Sequence, residues 1–107
     1  SVSEVLLLAK KLKCSLPLVK KALMGGFANS KILDLHGDRM IKDDYRPGFK
    51  TSLHLKDLGI AVDLSNKVGL NLKSAKYSKK LMKSANQNDY HNKDSSIINK
   101  IIIKNKK

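Results

Sequence analysis

Phe49-Lys50-Thr51-Ser52-Leu53-His54-Leu55-Lys56-Asp57-Leu58-Gly59-Ile60-Ala61-Val62-Asp63 is the stretch that decides the fold of this chain. It follows Pro47-Gly48, a strong loop signal. Thr51 or Ser52 offers a side-chain oxygen to an orphan amide, which predicts a helix N-cap there. Leu55, Leu58, Val62, Ser65 and Val68 then recur at helical spacing, and Leu53, Ala61 and Leu64 widen the apolar face. The pattern predicts a central helix from about Ser52 to Lys67, covered on most sides and closed by Gly69. His54, Lys56 and Asp57 fall at the edge of the stripe. Neighbours on a helix point about 100° apart, so Lys56 and Asp57 are not expected to pair with each other. A charge at the edge of an apolar stripe finds a partner or borders a cleft. Periodicity alone favours the plainer reading, a solvated lysine and aspartate beside a core helix.

Further helices flank this one. Ser1 to Lys13 places Val2, Val5, Leu6, Ala9 and Leu12 on one face, with Lys10, Lys11 and Lys13 at the negative end of the helix dipole. Ser15 to Met24 forms a second helix, with Pro17 in its first turn, Val19, Ala22 and Leu23 inward, and Gly25-Gly26 as its stop. Asn29 or Ser30 caps a third, Lys31 to about Lys42, with Leu33, His36 and Met40 on one face and loosening expected near Gly37. Ser74 to Ala85 turns Tyr77 or Ser78, Leu81, Met82 and Ala85 inward and Lys76, Lys79, Lys80 and Lys83 outward. After a polar loop from Asn86 to Lys93, Asp94, Ser95 or Ser96 caps a last helix rich in isoleucine, whose lysine-rich end is expected to fray. No stretch reads as a strand. The fold class is all-α, a single bundle-like domain of about six helices over residues 1–107.

Composition narrows the function. A chain of 107 residues with 41% hydrophobic content suits one core. The longest apolar run, Val5 to Ala9, is far too short to cross a bilayer, and no leader-like pattern opens the chain. The net charge of +13 points first to polyanions. Yet the basic residues are almost all lysine, spread over the whole chain, with Arg39 and Arg46 the only arginines. Arginine supplies the bidentate readers of phosphate and base edges, so nucleic acid ranks as a secondary reading. Cys14 alone cannot form an internal disulfide; it suits a reducing, cytoplasmic compartment and is expected to be at least partly buried. His36, His54 and His91 lie on three different elements without carboxylates at ligand spacing, so no metal is expected. His36 reads as a packed helix residue and His54 as a helix-start residue near a cleft. Neither a Walker sequence nor GxGxxG is present.

Several blocks together resemble a known family. They are Ser3-Glu4, Gly25-Gly26-Phe27-Ala28-Asn29-Ser30-Lys31-Ile32-Leu33-Asp34, Arg39-Met40, Pro47-Gly48-Phe49, Leu53-His54-Leu55-Lys56-Asp57-Leu58 and Asp94-Ser95-Ser96. In this order and spacing they are similar to the C-terminal helical domain of the β-hydroxyacid dehydrogenases, nearest to the tartronate semialdehyde reductase and 3-hydroxyisobutyrate dehydrogenase branches. The likeness spans nearly the whole chain. It departs at Leu72-Lys73, where the family usually has Leu-Pro, and at Asn86 to His91, where it usually has a glycine-rich loop with an aspartate.

The resemblance implies a 6-phosphogluconate dehydrogenase C-terminal-like domain whose first helix is cut short. An N-terminal Rossmann domain and the lysine segment GxxxKxxNN would lie upstream, outside this chain. Reduction of a short semialdehyde acid with NAD or NADP is the implied reaction. Lys56 matches the lysine that reaches the nicotinamide end of the cofactor. Asp57 and Phe49 match residues of the substrate cleft, and Ser30 and Asn29 face the same region from a helix N-terminus. The catalytic lysine is none of this chain's own, so the isolated chain is expected to be inert. A homo-oligomer is also implied. The competing reading is a stand-alone basic helical module that binds nucleic acid or an acidic partner.

Overall fold

A computed structural model describes residues 1–104 of the chain. Six α-helices follow one another: α1 (Val2–Lys11), α2 (Leu16–Met24), α3 (Lys31–Lys42), α4 (Thr51–Lys67), α5 (Lys73–Gln87) and α6 (Ile98–Lys104), the last entered through a 3-10 turn at Ser95–Ile97. The only extended pairing among the described residues is a single antiparallel bridge between Lys50 and Asp94. The architecture is all-α, as the periodicity predicts.

Local chemistry explains most of the boundaries. Pro17 sits in the first turn of α2, where its missing N–H removes no helical bond. Gly25 is the C-cap of that helix, its N–H donating to the Lys21 and Ala22 carbonyls. Ser30 is extended and its Oγ accepts from the Leu33 N–H at 2.9 Å, so Ser30 rather than Asn29 starts α3. α3 is not loosened at Gly37. It runs unbroken to Asp43, a left-handed C-cap, because Lys20 of α2 braces it by donating to Asp34 at 2.9 Å and Asp38 at 2.6 Å. α1 ends two residues earlier than expected, at Lys11, and Lys13 turns left-handed at φ 59°.

The core lies elsewhere than the central stretch suggests. Tyr45, Leu81, Ala85, Ile97 and Ile101 form it, with Tyr90, Ile98 and Ile102 against its edge. α5 turns Leu81, Met82 and Ala85 inward as its pattern predicts, while Ser78 is half-buried and Tyr77 exposed. α4 is not covered on most sides: only Thr51, Val62 and Ser65 are buried. Its chief neighbour is α5, and Leu53, Ile60, Leu64 and Val68 stay exposed. Its apolar residues are spread round the helix axis, so one packed neighbour covers only some of them. The N-cap also differs. Lys50 takes that place, and Thr51 is fully buried with its hydroxyl donating to the Lys93 carbonyl at 2.9 Å.

α1 is rotated slightly from its predicted face. Ser3, Leu6 and Ala9 are buried while Val5 and Leu12 are exposed. The reason is polar: Ser3 Oγ donates to Asn99 Oδ1 at 2.7 Å, and Asn99 Nδ2 donates to the Tyr45 hydroxyl at 3.3 Å. This buried chain ties α1, α6 and the α3–α4 loop together. Burial there pushes the Tyr45 hydroxyl up to about 12. In α2, Val19 and Leu23 are half-buried and Ala22 is exposed. Cys14 is exposed in the α1–α2 turn, against the expectation of burial, because that turn has nothing packed over it. The expected fraying of the lysine-rich end concerns residues 105–107, outside the described residues.

Ile101 is 1% exposed at the centre of this core. Ile101→Ala should cost about 2–5 kcal/mol in urea unfolding, whereas Leu18→Ala, at a residue 66% exposed, should stay within about 0.5 kcal/mol.

Candidate functional site

The site grows from the turn before α4. Asp94 is 2% exposed, and both of its carboxylate oxygens are committed. Oδ2 accepts from the backbone N–H of Phe49 at 3.0 Å and of Gly48 at 3.3 Å. Oδ1 accepts from the Ser96 N–H at 3.0 Å and its hydroxyl at 2.6 Å. The backbone completes the clasp: Asp94 N–H donates to the Tyr45 carbonyl, Ser95 N–H to that of Phe49, and Thr51 N–H to that of Lys93. One buried carboxylate thereby pins the Pro47-Gly48-Phe49 turn to the start of the last helix.

Arg39 of α3 supports the same point. Its Nη1 lies 3.9 Å from Asp94 Oδ2 and donates to the Arg46 carbonyl at 2.6 Å. The Arg46 guanidinium in turn forks onto Asp44 at 2.8 and 2.6 Å. Arg46 thereby holds the Asp44 carboxyl far below the usual carboxylate range. A Cβ at position 48 would stand 2.9 Å from Arg39 Nη2 and 3.0 Å from Asp94 Oδ2, so a side chain there would push the guanidinium and the carboxylate out of their places. Burial alone would raise the Asp94 carboxyl. The bonds from Ser96 and Phe49 and the charge of Arg39 outweigh it and hold the group below its ordinary value.

Phe49, so placed, meets His54 one turn into α4, the two ring centroids 5.6 Å apart and the planes inclined at 48°. Phe49 is 40% exposed. His54 is half-buried, and its Nδ1 is buried without a hydrogen-bond partner. Burial pushes its imidazole below the ordinary histidine value, with nearby His36 adding to the effect and Asp57 and Asp94 opposing it. His54, though not Phe49, lines an open groove of about 440 Å³ together with His36, Met40, Met82, Ser95 and Ser96, among others.

Lys56 and Asp57 are both exposed, and they do pair: Lys56 Nζ lies 3.2 Å from Asp57 Oδ1. The four-carbon lysine stem reaches across the angle that separates the two Cβ atoms. Ser30 and Asn29 lie at the N-terminus of α3, exposed, with the Ser30 oxygen engaged as cap. No hydrogen bond or ion pair among the described residues joins either of them to Phe49, Lys56 or Asp57. The structure therefore groups Phe49, in the turn before α4, with His54, and Lys56 with Asp57 on the first two turns of α4, and leaves Ser30 and Asn29 to their own helix. No three His, Cys, Asp or Glu side chains gather as a metal site among the described residues. None of the described helices is long and apolar enough to cross a membrane. The central role of Asp94 and Arg39 goes beyond the cap that sequence predicts for Asp94. Its one visible signal is Asp-x-Ser after a loop, an Asx-turn pattern.

The arrangement sets an aromatic pair at the entry to α4 and an exposed lysine–aspartate pair on its second turn. Residues 1–102 match the family described as "NAD-binding of NADP-dependent 3-hydroxyisobutyrate dehydrogenase". The chain belongs to this family. It is 51% identical over 72 residues to 2-hydroxy-3-oxopropionate reductase of Escherichia coli (strain K12), covering 67% of this chain and 25% of the relative. A probable mitochondrial 3-hydroxyisobutyrate dehydrogenase-like protein of Arabidopsis thaliana is 39% identical over 69 residues, 64% of this chain and 21% of its own length. Among solved structures, the 3-hydroxyisobutyrate dehydrogenase of Salmonella typhimurium superposes with a TM-score of 0.88 at 23% identity, over 94% of this chain and 35% of that one. The Mycobacterium tuberculosis enzyme, solved with L-serine, superposes at 0.84 and 24% identity, over 94% and 37%. These two likenesses establish a shared fold. The chain spans about a quarter of the length of the curated relatives it matches.

Asp94→Ala should lower stability by about 3 kcal/mol, since it orphans buried donors. The Asp94 carboxyl is depressed in the folded state, so its contribution is complete above its ordinary value of 3.8 and fades as pH falls below that. Asp94→Asn should flatten this acid limb in urea-unfolding series taken from pH 6 to pH 2.

Proposed function

We propose that this chain is the C-terminal helical domain of an NAD(P)-dependent reductase of short semialdehyde acids such as tartronate semialdehyde. The N-terminal Rossmann domain and a catalytic lysine belong to the rest of that enzyme. The 51% identity to a 2-hydroxy-3-oxopropionate reductase is the observation that carries this reading. The geometry supports it. Among the described residues the exposed Lys56 ammonium pairs with one carboxylate, which leaves N–H donors for a ribose or phosphate oxygen at the nicotinamide end of the cofactor.

The nicotinamide, when bound, supplies the hydride. This chain's residues bind and orient. Lys56 holds the cofactor; Asp57 fixes the lysine and borders the cleft. Phe49, pinned through its backbone to Asp94, covers substrate and keeps water out. Asn29 and Ser30 are assigned to the periphery of the same cleft, as the α3 N-terminus that favours an anion. Proton transfer to the carbonyl oxygen falls to the lysine outside this chain. We read the enzyme as a cytoplasmic homo-oligomer: Leu53, Ile60 and Leu64 leave one side of α4 apolar and exposed, and Cys14 carries an exposed thiol that a reducing compartment keeps free.

In the enzyme that carries this domain, Lys56→Ala should raise the KM for NAD(P)H about 10- to 100-fold, the equivalent of one or two charge-assisted bonds of about 1.5–3 kcal/mol. Lys56→Arg should recover part of the loss. Steady-state kinetics unchanged by Lys56→Ala would refute the assignment.

A further inference from the structure

Phe49 is fixed at its backbone and free only in its side chain. Its N–H donates to Asp94 and its carbonyl accepts from Ser95, so the chain cannot shift beneath the ring. Among the described residues the one aromatic ring it meets is His54, at a centroid distance of 5.6 Å, within the range where tilted ring pairs attract. His54 is anchored in turn. Its N–H donates to the Lys50 carbonyl, and its imidazole is wedged into the groove beside His36, Met40 and Met82.

We propose that His54 is a positioning residue, the imidazole on which the Phe49 ring rests and which sets where that ring stands over the cleft. That the ring covers a cleft rests on the function proposed above; the contact itself does not.

A proton on this imidazole has no place in the groove. The buried Nδ1 finds no acceptor. The charged and titratable groups that face the ring are Asp57 on its own helix, His36 on α3 and Asp94 before the 3-10 turn. From α5 the neighbour is Met82, and from the start of α1 Val2 and Ser3 line the groove, all of them uncharged. A charged ring would lie against a second imidazole, so protonation draws His54 toward water and removes the support from Phe49. The sign follows from burial. His54 is easier to deprotonate in the folded chain, so the neutral arrangement is complete above the ordinary value of 6.5 and is lost as pH falls below it.

The test is aromatic NMR of the 107-residue chain between pH 8 and pH 4.5. Nuclear Overhauser contacts between the Phe49 and His54 rings are expected at high pH. They should vanish as the His54 Cε1 proton titrates, with a midpoint below 6.5. His54→Phe keeps a ring and removes the titration, so Phe49 should hold its contacts at every pH. In His54→Ala the Phe49 ring signals should average at every pH. Phe49 signals that ignore both the His54 titration and His54→Ala would overturn the proposal. A variant that does not fold shows itself by loss of the Ile101 methyl shifts, and the wild-type titration then decides alone. No cofactor enters these readouts, so their failure leaves the Lys56 kinetics standing, and the reverse holds as well.

Discussion

A single buried carboxylate constrains this molecule more than any apolar contact does. Asp94 accepts four hydrogen bonds from two stretches of chain more than forty residues apart, with a guanidinium behind one oxygen. Burying a carboxylate costs several kcal/mol unless its lone pairs are satisfied, and here they are. The cost of leaving any one of these partners unmet makes the arrangement selective rather than merely stabilising. Because Asp94 is held, the Pro47-Gly48-Phe49 turn is held. Because that turn is held, α4 starts at a defined place and presents His54, Lys56 and Asp57 in a fixed order.

A second polar line, Ser3 to Asn99 to Tyr45, does similar work on the other side of the loop. Tyr45 is shared: its ring belongs to the apolar core, its hydroxyl to this line, and its carbonyl accepts from Asp94. The core and the site are therefore one construction. The apolar cluster of α5 and α6 fixes the last helix, and that helix carries the residues which grip the turn. By contrast the +13 charge plays little part in this framework. Lys20 and Lys100 make ion pairs that brace α3 and its C-terminal end. Of the α5 lysines, Lys73, Lys76, Lys80 and Lys83 are exposed, whereas Lys79, expected to face outward, is half-buried against α4 with its Nζ 3.9 Å from Asp63.

Much of this was legible from residue types. The helix count, the stop at Gly25-Gly26, a cap at Asn29 or Ser30 and the inward face of α5 follow from local chemistry, which sequence spacing reports directly. What was not legible depends on partners distant in sequence. The apolar pattern of α4 reads as a core helix, yet among the described residues α5 and the 3-10 turn at Ser95–Ile97 cover only part of it. Thr51 looks like a cap, yet its hydroxyl is claimed by Lys93, and no local rule reveals a partner 42 residues away. Lys56 and Asp57 pair through a long flexible stem, which Cβ directions alone do not capture. The resemblance singles out Phe49, Lys56 and Asp57, but not that Asp94 and Arg39 hold them in place. The Phe49–His54 contact is equally invisible at the level of motifs, although both residues stand in the stretch that decides the fold.

Native-state hydrogen exchange tests the central role of Asp94 most directly. If its carboxylate locks the turn, the amides of Gly48, Phe49 and Ser96 should exchange as slowly as that of Ile101 in the core, opening only with global unfolding. Exchange of these three amides at the rate of an exposed loop, while Ile101 stays protected, would contradict the account.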